Sequence, residues 1–278
     1  MPVYTQATNS RSTTVNPFTH AVRLCLIILV LLLLWLHQAW AAPVAVRFVE
    51  GVTHGFLVLR DVNGGLLASG DLLETQRGGP VESRMVFRFN DGSIYDETVT
   101  FTQDRVFAMQ SYRLVQRGPA FTEDSELSLE RASGKYHVKT RAHKDGKEQV
   151  LNGTLNLPPD VYNGMIITVA KNLPDSAGET VHMVAFTPTP RLIQLEFAPE
   201  GRDKVRIGEL EKTATHYVLK PRLGIWLKIF ASLLGRVPPD SHAWIIKDEV
   251  PAFVRFEGQL VANGPLWQIE TTSPYLPD

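Results

Sequence analysis

Apolar residues recur at every second position through most of this chain beyond Pro43, a period that suits strands and not helices. Over residues 81–102, Met85, Phe87 and Phe89 share one side, Asn90-Asp91-Gly92-Ser93 supplies a turn, and Tyr95, Val99 and Phe101 return along a second strand. In the next strand Val106, Ala108, Tyr112 and Leu114 fall on one face by alternation, and Phe107, Met109 and Val115 on the other. Over residues 135–143 Tyr136, Val138, Thr140 and Ala142 point inward, while Lys135, His137, Lys139, Arg141 and His143 point outward. That basic stripe reads either as an anionic-surface binder or as a solvated face offset by Glu126 and Glu130. Further strands are predicted at 148–157, 180–186, 191–198, 203–210, 213–220, 243–247, 252–257 and 266–272. In the strand at 252–257, alternation puts Phe253 and Arg255 on one side and Val254 and Phe256 on the other.

Two segments carry helical spacing instead. Pro158-Pro159-Asp160 leads into Val161, Met165, Ile166, Val169 and Leu173, a helix expected to end near Asn172, before Pro174. Residues 221–236 read PRLGIWLKIFASLLGR, whose Leu223, Ile225, Trp226, Leu227, Ile229, Phe230, Leu233 and Leu234 cover an arc of roughly 200° on a helical wheel. Its charges, Arg222, Lys228 and Arg236, are all positive, so it can lie on an anionic membrane, plug an apolar cavity or dock as a buried helix.

The N-terminus sets the compartment. Residues 1–20 are polar and without apolar period, and are expected to be disordered. From Leu24 to Leu36 every residue is apolar, and thirteen helical residues reach only about 20 Å. Arg23 before the run and Ala39 and Ala41 after it match a secretory signal cut between Ala41 and Ala42; a span of residues 21–42 kept as an uncleaved anchor is the alternative. Arg11 and Arg23 stay on the cytoplasmic side in both cases. The domain from residue 43 to 278 is therefore expected in the periplasm or on the periplasmic face of the inner membrane.

Arg11 and Arg23 are the only charges up to Ala41, so the 28 basic and 29 acidic residues of the chain become 26 and 29 beyond it, a net charge of −3. A surface dominated by nucleic-acid binding is excluded by that balance. Cys25, the only cysteine, lies inside the apolar run, which leaves the exported part without disulfide or thiol chemistry. No G-x-S-x-G elbow, phosphate loop, H-E-x-x-H or calcium loop occurs. His54, His137, His143, His182, His216 and His242 are scattered singly, and Asp96-Glu97 and Asp248-Glu249 send their two carboxylates to opposite faces of a strand. Asn152-Gly153-Thr154 fits a glycosylation acceptor but reads better as an Asn-Gly turn. No catalytic residue, metal or cofactor is predicted.

The segment LPPDVYNGMII (Leu157 to Ile167) and the closing HAWIIKDEVPAFVRFEGQL (His242 to Leu260) resemble those of bacterial exported domains. Their sheets are similar to the incomplete barrels of periplasmic lipoprotein carriers and other lipid-binding envelope proteins. The expected fold is mainly β: a single large curved antiparallel sheet of roughly ten to fourteen strands, an incomplete β-barrel, with one or two short helices and an N-terminal hydrophobic helix before it. The expected function is binding of a lipid or lipoprotein-like apolar ligand without turnover, in a pocket formed by Leu223, Trp226, Leu227, Phe230, Leu234, Trp244, Phe253 and Phe256. An envelope hydrolase is the competing class and requires histidines to meet a carboxylate in the concavity. A structural module using exposed strand edges is the third.

Overall fold

The computed structural model describes residues 42–76, 78–175, 178–186, 189–207, 210–222, 239–260 and 264–273. The first half of the domain is a meander of β1 (Thr53–Asp61), β2 (Leu66–Gln76), β3 (Val81–Phe89), β4 (Ile94–Gln103), β5 (Phe107–Arg117), β6 (Glu123–Glu130), β7 (Lys135–Ala142) and β8 (Glu148–Thr154). After helix α1 (Ile166–Asn172) a second meander follows: β9 (Glu179–Ala185), β10 (Arg191–Ile207), β11 (Leu210–Arg222), β12 (Ser241–Ile246), β13 (Ala252–Gln259) and β14 (Leu266–Thr272). All fourteen strands join one antiparallel sheet that is not closed, in the order β8-β7-β6-β5-β4-β3-β2-β1-β14-β13-β12-β11-β10-β9. The segments expected at 191–198 and 203–210 are mostly one long strand, β10, bent at Gly201, where φ is +146°.

Hairpins build each meander from local contacts, and the first strand then meets the last. Phe56 stands opposite Thr272, Leu59 opposite Ile269 and Asp61 opposite Trp267, which welds the two meanders at the centre of the sheet. Strands adjacent in sequence but not in space, β8 and β9, form its two edges.

One face, called inner here, carries the main core. Leu57, Leu59, Phe87, Phe101, Phe107, Leu129, Phe197, Tyr217 and Ile269 are among its buried residues. Two of the alternations expected above are broken by β-bulges, each an extra residue that reverses the facing of everything beyond it. In β5, Thr100 faces Ser111 and Phe101 faces Met109, so Gln110 is the extra residue. Phe107, Met109, Tyr112 and Leu114 therefore share the inner face, and Val106 is left exposed. The turn expected at Asn152-Gly153 is absent: both residues lie within β8, opposite His137 and Tyr136.

Residues 155–173 lie against the inner face and are fastened on every side by polar groups. Val161, Tyr162, Met165, Val169 and Ala170 enter the core. The Tyr162 hydroxyl accepts from the Val44 amide (2.9 Å) and donates to the Phe107 carbonyl (3.0 Å). Asn163 caps the edge strand β9 by bonding both the N–H and the C=O of Val184, and Val161 makes a parallel bridge to His182. Asn172 accepts from the amides of Arg47 and Phe48 at 2.9 and 2.8 Å and donates to the Thr168 carbonyl. Lys247 places its ammonium among the carbonyls of Ala170, Lys171 and Leu173, closing the C-terminus of α1. The helix ends at Asn172, as its pattern predicts, but begins at Ile166 and not at Pro159, because residues 158–165 are spent on these contacts.

The apolar run 24–36 and residues 223–236 of the wide-arc segment lie outside the described residues. Pro221 and Arg222, placed in that helix by the sequence pattern, are the last residues of β11, opposite Leu195 and Gln194. Among the described residues no helix is long and apolar enough to cross a membrane.

Because Asn172 satisfies two amides of the segment before β1, Asn172→Ala is expected to lower the unfolding free energy by about 1–3 kcal/mol, and Tyr162→Phe by a similar amount. Urea denaturation measures both, and an unchanged midpoint in each variant would show that residues 44–48 are not fastened this way.

Candidate functional site

Of the eight residues predicted to line a ligand pocket, Leu223, Trp226, Leu227, Phe230 and Leu234 lie outside the described residues. Phe253 and Phe256 are both buried in the inner core, but Trp244 is not on that face. It belongs to a second, small cluster on the outer face with Ala214, Ile246 and Val254, against which Val205 and Ile207 pack. A bulge is again the cause. Trp244 pairs with Arg255 and Ile245 with Phe253, leaving Val254 as the extra residue. Phe253 and Phe256 thus share the inner face and Val254 and Arg255 the outer one, in place of the strict alternation expected. Of the three that are described, Phe253 and Phe256 lie on one face and Trp244 on the other.

Around Trp244 the register builds a stacked outer cluster. His216 and Arg255 are its partners on the two flanking strands. The His216 ring lies 4.5 Å from the indole at 6°, and the Arg255 guanidinium 3.9 Å from the ring centroid. The indole N–H donates to Asp203 at 2.8 Å. His216 Nε2 is 2.9 Å from His242 Nδ1, and His216 Nδ1 is 3.5 Å from Asp203. The network fits one assignment of protons, with His242 donating to His216 and His216 pointing its own N–H at Asp203. Burial, and then the neighbouring His242, hold His216 below the usual histidine range.

His216 and His242 thus come together, and His216 meets a carboxylate, but on the face opposite the core. The described residues place no serine, threonine or cysteine within hydrogen-bonding distance of either ring. His182 is separate, on β9, with Nδ1 2.6 Å from the fully buried Asp160 and Nε2 facing the Gln194 amide at 3.4 Å, so neither nitrogen is free. Among the described residues no group of three or more His, Cys, Asp and Glu is arranged to hold a metal ion.

The inner face holds a different kind of site. Alternation along β4 turns Asp96 outward, into a two-point contact with Arg84 (2.9 and 2.7 Å), and turns its neighbour Glu97 inward, between Tyr95 and Val99. The Tyr112 hydroxyl, brought to this face by the Gln110 bulge, donates to Glu97 at 2.9 Å. Phe186 stacks on the Tyr112 ring with centroids 6.0 Å apart. Gly164, at φ +71°, lets the chain pass over that ring, since a Cβ there would stand 3.1 Å from it. Burial raises the Glu97 carboxyl above its ordinary value, and the hydrogen bonds of Tyr112 and Tyr95 oppose that rise in part. The same carboxyl adds to the burial that lifts both tyrosines far above the usual phenol. Among the described residues no cation is paired with Glu97.

Glu50, buried where Glu97 is half-buried, is bonded to Lys171 of α1 and lies near Glu74; burial pushes it to about 7 despite the lysine. Its partner is an ammonium already in place, which marks it as part of the fastening. Glu97 is bonded to phenols and stands opposite Met85 and Leu114 on the flanking strands, and Leu72, Ile166, Ile167, Met183 and Leu192 are partly exposed against the same core. This arrangement can accept a hydrogen bond from a polar group that arrives attached to an apolar body. The adjacency of Asp96 and Glu97 on a strand was the signal in the sequence; what surrounds Glu97 was not readable there.

No family model matches this chain, and neither does any curated protein or solved structure.

For Glu97, the raised folded pKa means that the native state binds more protons than the unfolded chain above about 4.5. Wild type should therefore lose stability relative to Glu97→Gln as pH rises from that point. Thermal unfolding of both across the acid-to-neutral range reads the difference; parallel curves would remove the claim that this carboxyl is desolvated.

Proposed function

We propose that this is a non-enzymatic cell-envelope protein that holds an amphipathic, lipid-like molecule against the inner face of its sheet. The polar end of that molecule meets Glu97 and its apolar body lies along the core-bearing face. Glu97 carries the reading. A carboxyl raised by burial, bonded only to phenols and surrounded by apolar side chains costs stability in the empty protein, and such groups concentrate where a ligand is recognised. The ligand's head group would be a donor, an ammonium or a hydroxyl.

The open fourteen-strand sheet supports this as a half-barrel with its gap between β8 and β9. In this reading the run from Leu24 to Leu36 acts as an export signal or an anchor on the periplasmic side. The outer His216-His242-Asp203 cluster is read as structural, because its rings stack on Trp244 and no nucleophile is bonded to it among the described residues.

Organic extraction of the purified full chain followed by mass spectrometry tests the proposal. One amphipathic species is expected to co-purify. Glu97→Leu should cut its retention at least about tenfold, which corresponds to about 1.4 kcal/mol, and wild-type retention of an ammonium-bearing lipid should grow as pH rises and Glu97 ionises. The Glu97 variant also separates inner-face binding from lipid carried by the N-terminal run. A ligand-free preparation that ignores added phospholipid and lipopeptide, or lipid retained equally by Glu97→Leu, would overturn the reading.

A further inference from the structure

The outer face of the first meander contains a cleft of about 1030 Å³ running across β3 to β8. Its floor is set by register. Arg84, Thr98, Arg113, Ser128, His137 and Asn152 stand opposite one another from strand to strand. At about 4.8 Å per strand, this row of six polar side chains spans about 24 Å. Beside it runs a second row of Glu82, Thr100, Ser111 and Glu130.

Four short hydroxyl residues, Thr98, Thr100, Ser111 and Ser128, flank Arg113 in the middle of the cleft, and Glu82, Arg84, Glu130 and Lys135 stand around them. The four hydroxyls make no side-chain hydrogen bond among the described residues. Two guanidinium groups are already held flat by carboxylates, Arg84 by Asp96 and Arg113 by Glu126 at 2.7 Å, and His137 is bonded to Asn152 at 2.7 Å. The cleft lining contains three carboxylates, Glu82, Asp96 and Glu130, and three cations, Arg84, Arg113 and Lys135.

Each of these features narrows the ligand. Balanced charge gives no field to gather a polyanion or a polycation. Apolar surface interleaved with hydroxyls and charges gives no continuous patch for a lipid tail and suits the mixed faces of a sugar ring. Fixed ion pairs and free hydroxyls together offer both acceptors and donors at close, regular spacing, which suits a neutral molecule with hydroxyls along its length. The strand-to-strand repeat is also close to the length of one sugar ring along an extended β-linked chain. We propose that this cleft binds a neutral glycan strand, laid across β3 to β8 along the row from Arg84 to Asn152.

The site lies on the face opposite Glu97 and is independent of the lipid-like ligand there. The test is saturation-transfer NMR and calorimetry on the full chain with a β-1,4-linked N-acetylglucosamine hexamer. Transfer to the sugar is expected, with affinity insensitive to salt between about 0.05 and 0.5 M and heparin failing to compete. Thr98→Val combined with Ser128→Ala should weaken binding at least about tenfold, and Glu97→Leu should leave it unchanged. Arg113→Gln serves the same comparison if the double variant does not fold, with circular dichroism as the check. No transfer, transfer that survives both variants, or displacement by heparin would overturn the proposal.

Discussion

A sheet that does not close must bury one face with whatever else the chain provides, and here the described part provides residues 155–173, with a single seven-residue helix among them, and the stretch around Val44. Their hold on the sheet comes from polar groups placed at the ends of apolar ones. Tyr162 buries its ring and bonds two backbone groups with its hydroxyl; Asn163 satisfies two backbone partners and Asn172 three. Buried amides and carbonyls left unpaired would cost more than these bonds contribute. The segment also repairs one of the sheet's two edges, since Asn163 and Val161 occupy positions on β9 that another strand would otherwise seek.

Alternation gives the sheet two unlike surfaces from the same strands. On β4, Asp96 stabilises an arginine over the polar cleft, while Glu97 stands among tyrosines on the core side. The same division separates Trp244 from Ala243 and Ile245 one residue away. Polar recognition on one side and apolar recognition on the other need no second domain, only a strand whose two faces meet different solvents.

The meander, the number of strands, the hairpin at Asn90 to Ser93 and the end of α1 were all legible, because period-two patterning and turn residues act locally. Facing was legible only up to the first bulge. A bulge is one extra residue with no composition of its own, and Gln110 and Val254 carry no mark in the sequence that sets them apart from their neighbours. Each moved aromatic residues: Tyr112 joined Glu97, and Phe253 and Phe256 came together while Trp244 remained outside. The meeting of His216 with His242 was hidden for another reason. It depends on cross-strand pairing between residues 26 positions apart, and register is set by the whole sheet.

The weld between β1 and β14 imposes an order on folding. Every other neighbouring pair in the sheet is consecutive in the chain, so each meander is built of hairpins, with short loops except for the eighteen residues between β11 and β12. Joining Phe56 to Thr272 instead closes a loop of more than 200 residues, an entropic cost of about 5 kcal/mol for an otherwise unstructured chain. Two preformed halves reduce that cost, because most of the intervening chain is already ordered when their ends meet. Wherever the central seam is open, β1 and β14 are both bare edges, each as able to pair with another molecule as with its own partner.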